Sequence, residues 1–149
     1  MRLRERAQTI AVAESSAGGL INAALVAVPG ASGFYLGGLI IYTPIGREKL
    51  LGITREEMRG IRSASEPFAR LMAARIRANL GATWAIAETG ASGPTGNRYG
   101  DAAGHACIAV SGPVESAITL ETGSPEREAN MRRFAMRALE LLDSCMQNG

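Results

Sequence analysis

Few groups in this chain can exchange a proton near neutral pH. It has one histidine, His105, and one lysine, Lys49, so fifteen of its sixteen basic residues are arginine. Arginine keeps its proton at any accessible pH and makes a poor general base. The two cysteines, Cys107 and Cys145, have no metal-type spacing, and with a single histidine they argue against a zinc site. A Ser-His-Asp arrangement would have only one candidate base. Aromatic residues are 5% of the chain, too few for a platform that stacks single-stranded nucleic acid. A formal net charge of +2, with its basic residues scattered, gives no footprint for nucleic acid or an anionic membrane. No apolar run reaches membrane-spanning length. The basic start, Met1 to Arg6, lacks the apolar stretch of a signal peptide, which leads to the expectation of a cytoplasmic protein. Nothing in the sequence calls for a metal or an organic cofactor.

What is present is enough for one core. A hydrophobic fraction of 46% over 149 residues fits a single domain, residues 1–149. Gln8 to Ala13 reads as a short buried strand, followed by a helix from Gly18 to about Val28. Phe34 to Tyr42 is almost continuously apolar and predicts a central strand. Thr43-Pro44 has the form of an N-cap and first helical position, with a short helix ending near Gly52. Thr54 to Arg59 suggests another short helix, and Ser65 caps a longer one closed by Gly81. Thr83 to Ala87 is a third strand, and Glu88 to Gly104 a long glycine-rich loop. Two strands, His105 to Val110 and Val114 to Glu121, form a hairpin, and a final helix opens at Ser124-Pro125. Strands alternating with helices, plus one hairpin, predict a three-layer α/β/α sandwich with a mixed β-sheet.

Three segments fall at predicted strand ends: Glu14 to Gly19, Tyr42 to Arg47 and Glu88 to Gly96. If their strands are parallel neighbours, the ends meet where open α/β sheets place their sites. In the first segment Ser15 has two readings. It is a nucleophile beside free backbone N–H groups, or it and Ser16 simply cap the next helix. Glu14 and Glu88 have the charge to face a cationic ring, and the glycines of Thr89-Gly90-Ala91-Ser92-Gly93 let backbone approach a ligand. Neither loop is a GxGxxG or GxxxxGK[ST] motif.

These residues resemble a known family. Ala13-Glu14-Ser15-Ser16-Ala17-Gly18-Gly19 is similar to the Ala-Glu-Ser-Cys-Thr-Gly-Gly signature of the CinA C-terminal domain family. The likeness continues at Val28 to Ser32, Gly37-Gly38, Ile41-Tyr42, Leu51-Gly52, Ser63 to Glu66 and Gly90 to Pro94. The resemblance implies a nicotinamide-mononucleotide amidohydrolase of pyridine-nucleotide salvage. It would need no metal, take a small nucleotide as substrate, and work as a homo-oligomer, a dimer first of all. It makes Ser15 the nucleophile, Tyr42 a member of the proton network and Ser32 a holder of the oxyanion. Glu14, Gly18, Gly19, Arg47 and the residues Thr89, Gly90, Ala91, Ser92 and Gly93 would surround the substrate.

The chain departs from the family where the chemistry is most exacting. The family's catalytic lysine stands five residues after the tyrosine, where this sequence has Arg47. Lys49 is two residues further, which on a helix turns a side chain by about 200°. Lys49 replaces the lost base only if that segment is irregular or the alignment is shifted, and His105 and Glu14 are the other candidates. The alternative reading is therefore a catalytically silent relative that binds a nucleotide-like ligand or a protein partner.

Overall fold

A computed structural model describes residues 2–149. The elements are α1 (Arg2–Glu5), β1 (Ile10–Glu14), α2 (Leu20–Val26), β2 (Tyr35–Ile40), α3 (Pro44–Leu51), α4 (Glu66–Leu80), β3 (Trp84–Ala91), β4 (His105–Ser111), β5 (Ser116–Glu121) and α5 (Arg127–Gln147). The strands form one sheet in the order β2-β1-β3-β4-β5. β1 runs parallel to both β2 and β3, while β3-β4 and β4-β5 are antiparallel. This is the mixed-sheet α/β/α sandwich expected from the alternation of patterns.

Period-two alternation sorts the sheet into two faces. Ile10, Val12, Trp84, Ile86, Ile108 and Val110 pack with Ile21 and Leu25 of α2 and with Phe134, Ala138 and Leu142 of α5. The opposite face is almost all small: Ala11, Ala13, Ala85, Ala87, Cys107 and Ala109. The large side chains there come from the helix instead, as Phe68, Met72 and Ile76 of α4. Small residues on a strand let a helix backbone settle close, so bulk on one partner complements its lack on the other.

Several boundaries differ from expectation, each for a physical reason. β2 is an edge strand, not a central one, and its burial alternates, with Leu36 and Ile40 about half exposed. Its apolar run does not report burial on both faces. α2 starts at Leu20 because Gly18 and Gly19 adopt positive φ, outside the right-handed helix. Residues 54–60 form successive turns, including Met58 N–H to Thr54 and Arg55, and not a helix. α5 begins at Arg127, three residues after Ser124, and α1 was not anticipated. The largest difference is β3, which continues through Thr89, Gly90 and Ala91 to pair with Cys107, Ala106 and His105. A Cβ on Gly90 would meet the His105 carbonyl oxygen at 2.2 Å, so glycine there serves close strand approach as well as any ligand.

The alanine face predicts a specific intolerance. Ala87→Leu, placed under α4, should destabilise the domain by about 1–3 kcal/mol through overpacking. Urea unfolding measures this, and an unchanged midpoint would show that α4 does not sit tightly on β3.

Candidate functional site

The turn after β1 is built on two buried carboxylates. Glu14 and Glu88 face each other in register on adjacent parallel strands, and both are fully buried. Glu14 accepts backbone N–H bonds from Gly19 (2.8 Å), Ile21 (3.2 Å) and Asn22 (2.8 Å), and a side-chain bond from Asn22 (2.6 Å). It thus caps α2, whose N-cap residue, Gly19, has no side chain to do so. Glu88 accepts N–H bonds from Ser15 (3.1 Å) and Ala17 (2.8 Å) and a short bond from the Ser16 hydroxyl. Burial, opposed by those hydrogen bonds and reinforced by the nearby Glu14, pushes the Glu88 pKa from 4.5 up to about 7.

This arrangement bears on the capping reading of Ser15. Capping is done by Glu14, and Ser16 is tied to Glu88, so neither serine caps the helix. Among the described residues the Ser15 hydroxyl has no hydrogen-bond partner, and Ser15 lines a cavity of about 260 Å³. The cavity lies at the carboxyl ends of β1, β2 and β3, the ends that parallel pairing brings together. Its wall combines Ser15, Ile41, Tyr42, Thr43, Pro44 and Arg47 with Ser63, Ala64, Phe68, Thr89, Gly90, Asn97 and Tyr99. Glu14, Gly18 and Gly19 lie behind the turn and not in that wall, and Glu88 is likewise sealed beneath it.

The segment after β2 supplies one side of the cavity. Thr43 Oγ1 accepts the Gly46 N–H at 3.2 Å and starts α3 as the Thr-Pro pattern predicts. Tyr42 stands at the exposed mouth, and its hydroxyl accepts a 2.8 Å bond from Arg127 at the start of α5. Arg127 also donates to the Gly93 carbonyl, joining the mouth of the cavity to the end of β3. Arg47 is half-buried in the wall, and its Nε donates to the Ile53 carbonyl at 3.2 Å.

Two expected site residues are elsewhere. α3 is a continuous helix to Leu51, so Lys49 is turned away from Arg47, exposed, and outside the cavity wall. It does not replace the missing base. Ser32 is exposed in the single 3-10 turn before β2. That turn is at the amino end of the parallel pair, roughly 16 Å of strand from the end that carries Ser15. Within this chain Ser32 therefore does not approach the Ser15 carbonyl-binding region.

Beyond β3 the residues divide. Thr89 and Gly90 line the cavity, and Thr89 Oγ1 accepts the Ala64 N–H at 3.1 Å. Ala91, Ser92 and Gly93 are outside its wall. Ser92 is buried and donates to the Ser16 carbonyl at 2.9 Å, while its own carbonyl accepts from Asn130 at 2.7 Å. These three residues buttress the site. His105 faces away from Ser15 as well: Nδ1 meets Glu121 at 2.5 Å and Nε2 meets the Ala64 carbonyl at 2.8 Å. An acceptor at each nitrogen favours the doubly protonated ring. Burial opposes its charge, yet Glu121, the Ala64 carbonyl and Asp101 outweigh burial and raise its pKa. A ring engaged at both nitrogens braces the Ala64 wall, and neither nitrogen is hydrogen-bonded to Ser15.

Sequence reasoning missed Arg127, which meets Tyr42 across 85 residues, and Asn130, which ties Ser92 to the Ser124 carbonyl. It also missed the wall formed by Ser63, Ala64, Asn97 and Tyr99. Asp101 anchors that wall by a two-pronged pair with Arg62 at 2.7 and 3.2 Å. Ser63 and Ala64 fall in the family-like segment Ser63 to Glu66, which could have pointed to them; the others carry no local pattern that distinguishes them from ordinary loop or helix residues.

The structure is a mixed-sheet α/β/α domain with a serine-bearing cavity at its parallel strand ends. The chain belongs to the CinA C-terminal domain family, whose model matches residues 1–146. It is 44% identical over 111 residues to a CinA-like protein of Prochlorococcus marinus, covering 74% of this chain and 26% of that protein. It is 38% identical over 136 residues to one from Gloeobacter violaceus, covering 90% of this chain and 32% of the relative. The chain thus spans about a quarter to a third of the length of these curated relatives. Among solved structures, a CinA superfamily protein from Klebsiella pneumoniae matches with a TM-score of 0.92 and 25% identity, over 99% of this chain and 92% of that one. A CinA superfamily protein from Escherichia coli gives 0.88 and 26%, over 95% and 82%.

The Glu88 cradle predicts a pH dependence. The unfolded chain releases this proton near 4.5 and the folded chain near 7, so stability falls as pH rises through that window. The full effect is about 3 kcal/mol. His105 acts with the same sign above its ordinary range, so the comparison must be with a variant. Glu88→Gln keeps an acceptor for both N–H groups and removes the titration. Its unfolding free energy should decline less than the wild type's between pH 5 and 8. Parallel curves would refute the raised Glu88 pKa.

Proposed function

We propose that this cavity hydrolyses the carboxamide of nicotinamide mononucleotide, giving nicotinate mononucleotide and ammonia. The observation that carries the reading is the Ser15 hydroxyl, without a hydrogen-bond partner among the described residues and lining a cavity, on a turn whose capping is done by Glu14. Family membership and the retained Ser15 and Tyr42 positions support the same chemistry. Tyr42, Phe68 and Tyr99 in the wall suit a flat cationic pyridinium ring.

In this mechanism the Ser15 oxygen attacks the carboxamide carbon, and its proton passes to the leaving nitrogen through Tyr42, which Arg127 holds in place. The carbon–nitrogen bond breaks, ammonia leaves, and water cleaves the resulting serine ester to the carboxylate. Tyr42 serves because the other candidates are withdrawn: Lys49 is outside the wall, His105 is engaged at both nitrogens, Glu14 is buried as the cap of α2, and arginine at position 47 is a poor general base. The role belongs to pyridine-nucleotide salvage in the cytoplasm, carried out by a homo-oligomer, a dimer in the first instance.

A specific observation favours a second reading. Arg47 occupies the position of the family's lysine, so a silent relative that only binds the nucleotide is the competing function. Ammonia release from nicotinamide mononucleotide separates the two. Under the first reading Ser15→Ala abolishes release while leaving the fold and ligand binding intact, and Tyr42→Phe lowers it by about 100-fold or more. Arg47→Lys should raise turnover by restoring a cation able to give up its proton. Ligand binding without any release by the wild type establishes the silent relative. Release that persists in Ser15→Ala removes the serine mechanism.

A further inference from the structure

The charge balance of the cavity points to its ligand. Among the described residues that line it, Arg47 is the one charged side chain, and no aspartate or glutamate stands in the wall. Nε of Arg47 is satisfied by the Ile53 carbonyl, which fixes the plane of the guanidinium. Its two terminal nitrogens make no hydrogen bond or ion pair with any described residue. Asp101, which holds the Asn97 side chain of the wall, is itself paired with Arg62. A half-buried guanidinium with one anchored edge and a free fork is the arrangement that receives a planar or tetrahedral oxyanion.

We infer that Arg47 makes the cavity a receptor for an anionic oxygen group, carboxylate or phosphate, on a ligand whose aromatic ring lies against Phe68, Tyr42 and Tyr99. This deepens the proposed function and rests on its assignment of the cavity as the ligand site, but not on catalysis. A lysine at this position could take a proton from Ser15. The arginine instead retains whichever ligand carries the negative group, including the carboxylate product of amide hydrolysis. The site then binds the acid form of its ligand more tightly than the amide, or holds the phosphate that both share.

Calorimetry with the wild type and Arg47→Gln tests this, using nicotinate mononucleotide, nicotinamide mononucleotide, benzoate and inorganic phosphate. Circular dichroism first establishes that the variant is folded. Loss of a charge-assisted pair should weaken the bound anion by about tenfold or more. Weakening confined to nicotinate mononucleotide and benzoate assigns the carboxylate to Arg47. Equal weakening of both nucleotides, together with inorganic phosphate, assigns the phosphate. If neither nucleotide binds the wild type but benzoate or phosphate binds through Arg47, the receptor stands and the pyridine-nucleotide function falls. If Arg47→Gln binds every ligand as the wild type does, or no anion binds the wild type, the inference is overturned.

Discussion

Two carboxylates removed from water set the geometry on which the site depends. Glu14 and Glu88 lie side by side on the central parallel strands, where desolvation and the neighbouring Glu14 both work against the charge of Glu88. What makes them tolerable is a ring of donors: four bonds to Glu14 from Gly19, Ile21 and Asn22, and three to Glu88 from Ser15, Ser16 and Ala17. Those same donors are the backbone of the turn that leaves β1. The chain cannot relax this turn without leaving a buried acid short of partners, which is costly. Ser15 is therefore presented to the cavity by a scaffold fixed from beneath, while its own side chain is left out of the network.

The other walls are tied to that scaffold through long-range contacts. Thr89 and His105 hold the two ends of the Ala64 peptide, at 3.1 and 2.8 Å, and Arg62 clasps Asp101 across the loop that bears Asn97 and Tyr99. Ala64 itself has φ of 55°, unusual for a residue with a Cβ, and these contacts are what sustain it. Arg127 joins Tyr42 to the Gly93 carbonyl, so α5 also contributes to the mouth. The alanine face of the sheet has a related consequence. It draws α4 inward, and Phe68 at the start of that helix reaches both the core and the cavity.

Within the CinA family this chain keeps the serine turn and the tyrosine but places an arginine where the resemblance expects a lysine. The structure sharpens that difference, since neither Lys49 nor His105 stands in for the lost amine. The cavity wall carries Arg47 as its one charged side chain, and Tyr42 at its mouth is held by Arg127. The amidase and the silent binder share one pocket and one ligand class; they differ in whether a proton can leave Ser15.

The sequence by itself determined the layers, the parallel core and the turn that carries Ser15. Those rest on local signals: period-two and helical apolar patterns, with Thr43-Pro44 and Ser65 as caps. It also located three strand ends and the Arg47 departure, because motif spacing is a property of the chain. Tertiary structure alone decided that β2 is an edge, that Thr89 to Ala91 continue β3, and that Glu14 is a cap and not a substrate contact. It placed Ser32 at the opposite end of the sheet and brought Arg127 to Tyr42. The physical reason is common to all of these. Burial, strand neighbours and hydrogen-bond partners are set by residues far apart in sequence, and no local pattern records which distant group will satisfy a given donor or acceptor.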